Sequence, residues 1–416
     1  MKLNHKRTLI VGLAFMSISG FWQLYDFIIP LMLKTEFNIA DTYAGVVMSL
    51  DNILALILLP YFGRLSDNTK TKLGRRMPFI IAGTLIASMA MLLLPYAAQH
   101  GSIKLFIIGL GVLLLSLASY RSPAVALMPD ITIKPLRSMG NAIINLMGAI
   151  GGVIVLGLIA LLPPEKIGSY YPIFISVSAL MLGALLVMVV FVKENKWALE
   201  ASETTKSLHI EEHEDLIQEK GVMGKEVKRS MIFLLVSISL WFMGYNAVIS
   251  AFSRYATIHL NFSAAQASMI LLIANVAAII GFIPIGKLSS KYGRKKMILL
   301  GLIVLGIAFG TAGLYQAYSP LMFINFILAG LSWATISVNS LPMVLEMSSE
   351  AEVGRFTGLY YSFSMAAQII TPILSGLLFD LIDYSILFPY AFLFIVLAFF
   401  TMSKVKHGDS VITNEL

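Results

Sequence analysis

Three charged side chains stand inside long apolar runs of the sequence: Asp26, Asp51 and Arg121. In runs long enough to cross a bilayer, each isolated ion is costly, so a shared ionic network is favoured over three separate charges. Asp26 and Asp51 each lie about seven residues from one end of their run, which places both carboxylates roughly 10 Å below the same surface. Arg121 lies roughly 7 Å deeper, within reach of its long side chain.

Two acids that face one base leave one carboxylate without a full partner, and that carboxylate can take up a proton. We therefore predict that Asp26 and Asp51 are coupling residues, with Asp26 as the proton carrier and Asp51 acting on it through like-charge repulsion. On the same helical turn as Asp26 stand Trp22, Gln23 and Tyr25. A purely structural role, in which each Asp hydrogen-bonds a neighbouring helix, stays open.

A second set of side chains suits a polyhydroxylated ligand, because amides, carboxylates and guanidinium groups pair with hydroxyls while aromatic faces cover a sugar ring. The set is Trp22, Gln23, Tyr25, Asn52, Arg121, Asn145, Tyr245, Asn246, Asn275, Asn325, Trp333, Asn339, Tyr360, Tyr361 and Gln368. All except Asn275, Asn325, Trp333 and Tyr360 are carried forward as predicted substrate-binding residues. Aromatic residues also line membrane interfaces and amides also join helices, so those roles remain alternatives.

The elements that must position these groups are membrane-spanning helices. Hydrophobic residues make up 58% of the chain and charged residues 13%, with a mean hydropathy of +0.83. Apolar runs of about 20 residues are long enough to span a bilayer. Twelve such runs predict an all-α membrane protein, with cores at 9–33, 43–62, 77–97, 103–128, 142–162, 171–192, 231–252, 264–285, 297–315, 321–345, 358–378 and 386–402.

The basic residues predict the orientation. With both termini in the cytoplasm, 25 of the 30 Lys and Arg fall in cytoplasmic segments, and Arg254 is assigned to an outer loop. We therefore expect a multi-pass protein of the cell (inner) membrane. The net charge of +7 needs no nucleic-acid partner, and the absence of cysteine excludes disulfides and thiolate metal sites. The first run is interpreted as a retained helix rather than a signal peptide.

We predict three parts: a six-helix bundle over 1–192, a cytoplasmic linker over 193–230, and a second six-helix bundle over 231–416. The linker carries nine acids and seven bases, and a helix is expected over 208–216. His209 and His213 have a spacing that metal sites also use, but flanking acids on a tether make a metal site improbable. A regulatory role for the linker remains open.

A polar hinge, Gly63-Arg-Leu-Ser-Asp67 followed by Gly74-Arg75-Arg76, joins the second and third runs. A degenerate copy, Gly286-Lys-Leu-Ser-Ser290 followed by Gly293-Arg294, recurs about half a chain length later. The two halves match again at nearly the same offset in two further pairs, which are Asp130 with Glu346 and Arg137 with Arg355. Parallel six-helix repeats are typical of transporters that rock one bundle against the other.

The hinge resembles the loop 2–3 motif of the major facilitator superfamily. Its seven-residue spacing from Asp67 to Gly74 and the Gly-Arg-Arg-x-Pro-Phe-Ile that follows are similar to the sucrose and glycoside cation-symporter branch. Ser122-Pro-Ala-Val125-Ala-Leu-Met-Pro-Asp130 resembles that branch's Pro-x-Arg-Ala-Leu-x-x-Asp, but Val125 stands where the branch has a sugar-binding Arg. Arg121 lies one turn earlier on the same face.

This resemblance implies a cytoplasmic gate in which Asp67, Arg75 and Arg76 hold one state closed, so neutralising Asp67 is expected to raise the inward-open population. Ser290 replaces the acid in the second copy, which predicts a weaker second lock. The predicted gate residues are Gly63, Asp67, Gly74, Arg75, Arg76, Asp130, Arg137, Gly293, Arg294, Glu346 and Arg355.

Taken together, the sequence predicts a secondary active transporter that takes up a sugar, of the di- or oligosaccharide glucoside class, with a proton. Sodium remains an alternative coupling ion, a monomer is expected, and neither a cofactor nor an enzyme activity is expected because no phosphate-binding loop or catalytic triad is present. The alternatives are an exporter, a lipid-linked glycolipid carrier, or a transport-dead receptor. Gly148, Gly151, Gly152 and Gly157 are expected to pack helices closely, and their run lacks the Gly-Pro pair of drug–proton antiporters.

Overall fold

The structure, a computed structural model, describes residues 3–133, 136–207, 224–347 and 353–409. These residues form an all-helical chain with twelve helices long and apolar enough to cross a membrane, which confirms the predicted fold class. The helices are α1 (His5–Thr35), α2 (Asp41–Asp67), α3 (Met77–Gln99), α4 (Ile103–Asp130), α5 (Arg137–Leu161), α6 (Pro164–Ile167), α7 (Tyr171–Phe191), α8 (Glu194–Ser207), α9 (Lys225–Arg254), α10 (Ala264–Tyr292), α11 (Arg294–Ala312), α12 (Leu321–Glu346), α13 (Val353–Leu381) and α14 (Leu387–Ser403). All except the polar α8 belong to candidate spans, and the short α6 forms the end of the span that begins in α5.

Several helices extend beyond their apolar cores, because hydropathy marks the hydrocarbon-facing part of a helix and capping decides where the helix ends. α9 begins at Lys225, well before the predicted core at 231. α10 begins at a capping box, in which the Ser263 hydroxyl accepts from the Gln266 amide and the Gln266 side chain accepts from the Ser263 amide. The linker helix predicted over 208–216, with His209 and His213, lies outside the described residues.

The chain divides into two compact units. The first takes in residues 1–38 and 50–212, and the second takes in 39–49 and 213–416. In the first unit α1 packs on α5 and α7, and α3 packs on α4 and α7. In the second unit the corresponding pairs are α9 with α13 and α14, and α11 with α12 and α14. Each half of the sequence therefore repeats the same pairing of its first, third, fourth, fifth and sixth spans.

Glycines let helices approach closely within both units. A Cβ atom on Gly151 of α5 would stand 2.1 Å from the backbone oxygen of Met16 in α1, and one on Gly148 would meet the Ser19 hydroxyl at 2.8 Å. In the second unit, a Cβ atom on Gly330 would stand 2.0 Å from the Ala274 oxygen. These contacts confirm that Gly148 and Gly151 are close-packing positions.

A buried ionic network holds the N-terminal end of α2 within the second unit. Arg254, which is fully buried at the end of α9, donates to the Asp41 carboxylate at 2.6 Å, and the Tyr384 hydroxyl donates to both Asp41 oxygens at 2.8 and 2.9 Å. The Asp380 carboxylate accepts from the backbone amides of Asp41 and Thr42, which caps the α2 N-terminus. The assignment of Arg254 to an outer loop was wrong, because α9 continues through Arg254 and burial of the guanidinium is compensated by Asp41.

We predict that Arg254→Met destabilises the protein by about 3–5 kcal/mol, since it leaves a buried carboxylate without its cation. The double variant Asp41→Asn/Arg254→Met removes both charges and is expected to lose less stability than Arg254→Met alone. Thermal unfolding of the purified protein in detergent measures both. A wild-type melting temperature in Arg254→Met would contradict the assigned pairing.

Candidate functional site

The first unit gathers ionic and aromatic side chains from three helices. Asp26 lies in the second half of α1, Asp51 in α2, and Arg121 in the second half of α4, and each of the three side chains is partly buried. The Asp51 carboxylate interacts electrostatically with both Asp26 and Arg121. The structure thus brings the predicted three-residue network together, with Asp51 as the residue that acts on both others.

The two carboxylates differ in how they are compensated. The Asn52 side chain donates to Asp51 at 2.9 Å, and the Arg121 charge is favourable to the same carboxylate. Among the residues that the structure describes, no donor makes a hydrogen bond to the Asp26 carboxylate. Asp26 is therefore the less compensated of the two acids, with Asp51 as a like-charged neighbour.

Aromatic rings surround this network. The Trp22 and Tyr25 rings meet edge to face with centroids 5.4 Å apart, and the Arg121 guanidinium lies 5.4 Å from the centre of the Trp22 ring. The buried indole nitrogen of Trp22 has no hydrogen-bond partner within the described part of the chain. A donor of this kind is available to a ligand. Gln23 points its side-chain oxygen toward Gly152 of α5, at 3.6 Å from a Cβ built there.

The second unit holds its own aromatic platform. Tyr245 of α9 and Trp333 of α12 stack with centroids 3.7 Å apart and planes within 3° of parallel, and Phe242 meets the same indole edge to face at 5.2 Å. The neighbouring Asn246 side-chain nitrogen is buried without a partner within the described residues. Trp333 was left out of the predicted substrate-binding residues, although it is an aromatic residue within an apolar helix, as Tyr245 is.

Several polar side chains of the candidate set make hydrogen bonds within or between helices. The Asn325 side chain donates to the Ala308 oxygen at 3.0 Å and joins α12 to α11, and the Tyr360 and Ser340 hydroxyls lie 3.1 Å apart and join α13 to α12. Three others donate to backbone oxygens four residues earlier in their own helices. These are Asn145, Asn339 and Gln368. A substrate contact by these three and by the half-exposed Tyr361 remains a prediction.

The hinge residues converge at the end of the first unit opposite to the Asp26 network. Asp130 at the end of α4 accepts from Arg75 at 2.6 Å and from Arg76 at 2.8 Å, and Arg76 also donates to Asp67. Burial opposes the charge on Arg76, but its hydrogen bonds to Asp130 and Asp67 outweigh burial, so the pKa of Arg76 lies above its ordinary value. The Asp130 side chain is 15% exposed, whereas that of Asp67 is 53% exposed. Because solvent weakens exposed ion pairs, Asp130 holds the arginines more strongly than Asp67 does.

Sequence reasoning missed the acid that completes this cluster. Glu194, the first residue of α8, is buried and accepts from the backbone amides of Arg75, Arg76 and Met77 at 2.8–3.1 Å, which caps α3. Gly74 has φ 117°, and a Cβ atom there would stand 2.1 Å from the Glu194 carboxylate. Gly74 is therefore required both by its backbone conformation and by the approach of Glu194.

The second unit repeats this arrangement. Arg294 donates to Glu346 at 2.8 Å, its backbone amide donates to Asp409 at 2.6 Å, and Gly293 has φ 93° beside the same carboxylate. Asp409 stands in the second half at the position that matches Glu194 in the first, so the repeat offset was the signal that could have found both acids. Ser290 bonds its own helix at the Gly286 oxygen and adds no charge to this cluster.

The remaining gate residues lie beside the two clusters. The Gly63 oxygen accepts from Arg76 at 3.4 Å, and Arg137 donates to the Thr132 oxygen at 3.2 Å. The Arg355 guanidinium lies 5.9 Å from the Phe356 ring. The gating role of all these residues remains a prediction.

We predict that Asp130→Asn costs about 1.5–3 kcal/mol, since it weakens charged hydrogen bonds to two arginines at once. Asp67→Asn is expected to cost about 1 kcal/mol or less, because this carboxylate is half exposed. The two variants make the same chemical change and are matched controls for each other in thermal unfolding. Equal losses would contradict the ranking of the two anchors.

Comparisons with known proteins agree with this architecture. A model of the Major Facilitator Superfamily matches residues 11–283 and 234–409. Multidrug resistance protein 2 of Bacillus subtilis is 27% identical, with 99% of each chain covered. A sucrose transport protein of Arabidopsis thaliana is 26% identical over 152 residues, which are 32% of this chain and 25% of that protein. The chain therefore spans about a quarter of the length of that relative.

Solved structures show the fold. A xylose transporter of E. coli superposes with a TM-score of 0.68 at 15% identity, with 96% of each chain covered. A nucleoside transporter superposes with a TM-score of 0.68 at 16% identity, covering 96% of this chain and all of that one. With the family model matching both halves and twelve helices in the same fold, the chain belongs to the Major Facilitator Superfamily of membrane transporters.

Proposed function

We propose that this transporter takes up a sugar of the di- or oligosaccharide glucoside class together with a proton. The observation that carries this proposal is the Asp26, Asp51 and Arg121 network of the first unit, with Trp22 and Tyr25 beside it. A carboxylate without a donor can accept a proton, and an adjacent guanidinium can hold ligand oxygens in pairs.

Aromatic faces in both units support a sugar as the cargo. Trp22 in the first unit and the stacked Tyr245 and Trp333 in the second present indole and phenol rings near amide and guanidinium groups. Sugar sites combine such rings with planar hydrogen-bonding groups. The sucrose transport protein of Arabidopsis, which matches about a third of this chain, supports the same class of cargo.

The second candidate is export of an amphipathic compound. It is favoured by the similarity to Multidrug resistance protein 2, which extends over 99% of both chains. Against it, α5 lacks the Gly-Pro pair that the sequence resemblance led us to look for, and its Gly148 and Gly151 pack on α1 instead. A thermal-shift panel of purified protein separates the two candidates, since a bound ligand stabilises the fold.

In that panel we expect glucosides to raise the melting temperature and lipophilic cations to leave it unchanged. Stabilisation by lipophilic cations alone would favour the exporter. The proposal also includes alternating access of the two bundles, with a proton rather than sodium as the coupling ion.

We predict that Asp26→Asn abolishes uphill, proton-driven accumulation while counterflow of substrate survives, because the variant keeps the site but loses the titrating group. Asp51→Asn is expected to weaken coupling less. Both are measured in vesicles with an imposed pH gradient. Glu203→Gln, at an exposed acid of α8, is the control that should behave as wild type. Retained pH-driven accumulation in both Asp variants would refute the proposed coupling.

We also predict that Arg121→Lys lowers substrate affinity about tenfold, or about 1.4 kcal/mol. Lysine keeps the charge beside Asp51 but loses the planar fork that pairs two oxygens at once. Binding is measured by thermal shift against increasing ligand. Wild-type affinity and coupling in this variant would reduce Arg121 to a structural counter-ion.

A further inference from the structure

A basic cavity lies in the second unit where α9 begins and α14 ends. Its volume is about 300 Å³, and it is lined by Glu226, Arg229, Ser230, Phe233, Lys404 and Lys406. Lys404 and Lys406 directly follow the last span, and Arg229 stands one turn before the apolar part of α9. The cavity is therefore at the membrane boundary, where lipid headgroups are found.

Three cations line this cavity, and two of them lie beside one aromatic ring. The Arg229 guanidinium lies 5.7 Å from the centre of the Phe233 ring, and the Lys404 ammonium lies 5.5 Å from it. Within the described residues, no carboxylate lies within ion-pair distance of Arg229, Lys404 or Lys406. Glu226 lines the cavity but pairs with none of them. Like charges that line one cavity repel one another, and an anion bound between them would be attracted to each.

The backbone around the cavity is held in place. The Ser230 hydroxyl accepts from the Lys406 amide at 3.1 Å and lies 2.9 Å from the His407 ring nitrogen. Ser230 is buried on α9, so it ties the segment after α14 to the first turns of α9. These contacts fix the backbone of the segment that carries Lys406 against the helix that carries Arg229.

Two exposed apolar stripes run from this cavity along the spans. On α9, Ile232 and Val236 follow Arg229 at helical spacing, and on α14, Leu397 and Phe400 precede Lys404 at helical spacing. α9 and α14 pack against each other. An occupant that reached from the cations onto these stripes would be anionic at one end and apolar along its length.

The first unit offers a contrast. Arg7, near the start of α1, pairs with Glu200 of α8 at 2.6 Å and lies 4.9 Å from the Trp197 ring. There the cation and its aromatic neighbour are satisfied by an acid of the chain itself. In the described part of the second unit Arg229 has an aromatic neighbour and two lysines close by, but no acid at ion-pair distance.

We propose that this cavity, formed by Arg229, Phe233, Lys404 and Lys406, binds the phosphate headgroup of an anionic phospholipid whose acyl chains lie along α9 and α14. Basic pockets between spans recognise such headgroups. The apolar stripes favour a lipid over a free phosphate ion, which shares the headgroup chemistry but gains nothing from them.

The test is thermal unfolding of the purified protein with increasing short-chain phosphatidylglycerol. Phosphatidylcholine of the same chain length and inorganic phosphate are run in parallel. We expect phosphatidylglycerol to stabilise the protein at concentrations at least tenfold below those needed for phosphatidylcholine, and inorganic phosphate to have no comparable effect. Equal stabilisation by inorganic phosphate would overturn the lipid assignment.

The triple variant Arg229→Gln/Lys404→Gln/Lys406→Gln is expected to lose the preference for phosphatidylglycerol. The control Lys70→Gln/Lys72→Gln/Lys287→Gln removes three exposed cations elsewhere and should keep it. Phe233→Leu retains the charges and should weaken phosphatidylglycerol binding about threefold, which keeps the test valid if the triple variant folds poorly. An unchanged preference in the triple variant, or in Phe233→Leu, would refute the site.

Discussion

An unpaired charge in hydrocarbon is so costly that each ionic side chain in these spans has to be understood through what compensates it. Arg254 and Asp41 balance each other's charge, and the Tyr384 hydroxyl donates to the same carboxylate. Asp51 is balanced by Asn52 and Arg121, while Asp26 has a like charge as its neighbour. The structure therefore separates an ionic pair that stabilises the fold from an acid that is held in an unfavourable place.

Helix N-termini also need compensation, because their first amides have no hydrogen-bond partner within the helix. α2, α3 and α11 are each capped by a carboxylate from a different helix or segment, namely Asp380, Glu194 and Asp409. These acids fix where neighbouring elements begin relative to one another within a unit. In the two hinge copies the close fit of the acid also demands a glycine, at Gly74 and Gly293.

The twelve spans and the internal repeat could be predicted from the sequence, because length, apolarity and repeat offset are local or periodic signals. The helix ends could not, since α9 starts among polar residues that hydropathy does not register. The Asp26, Asp51 and Arg121 network could also be predicted, because charged residues in apolar runs are rare. The partners of Asp41 and Arg254 were not, since the two residues are far apart in the sequence and only the packing of α2 within the second unit brings them together.

The Glu194 contact has a consequence for how the first half of the chain is completed. The predicted end of the first bundle at residue 192 leaves out the carboxylate that caps α3, although α3 is made three spans earlier. During synthesis, α3 must therefore remain uncapped until the chain has passed its sixth span. A break in the chain before residue 194 would leave the first half without the carboxylate that accepts from three amides at its hinge, whereas a break after α8 would keep that carboxylate.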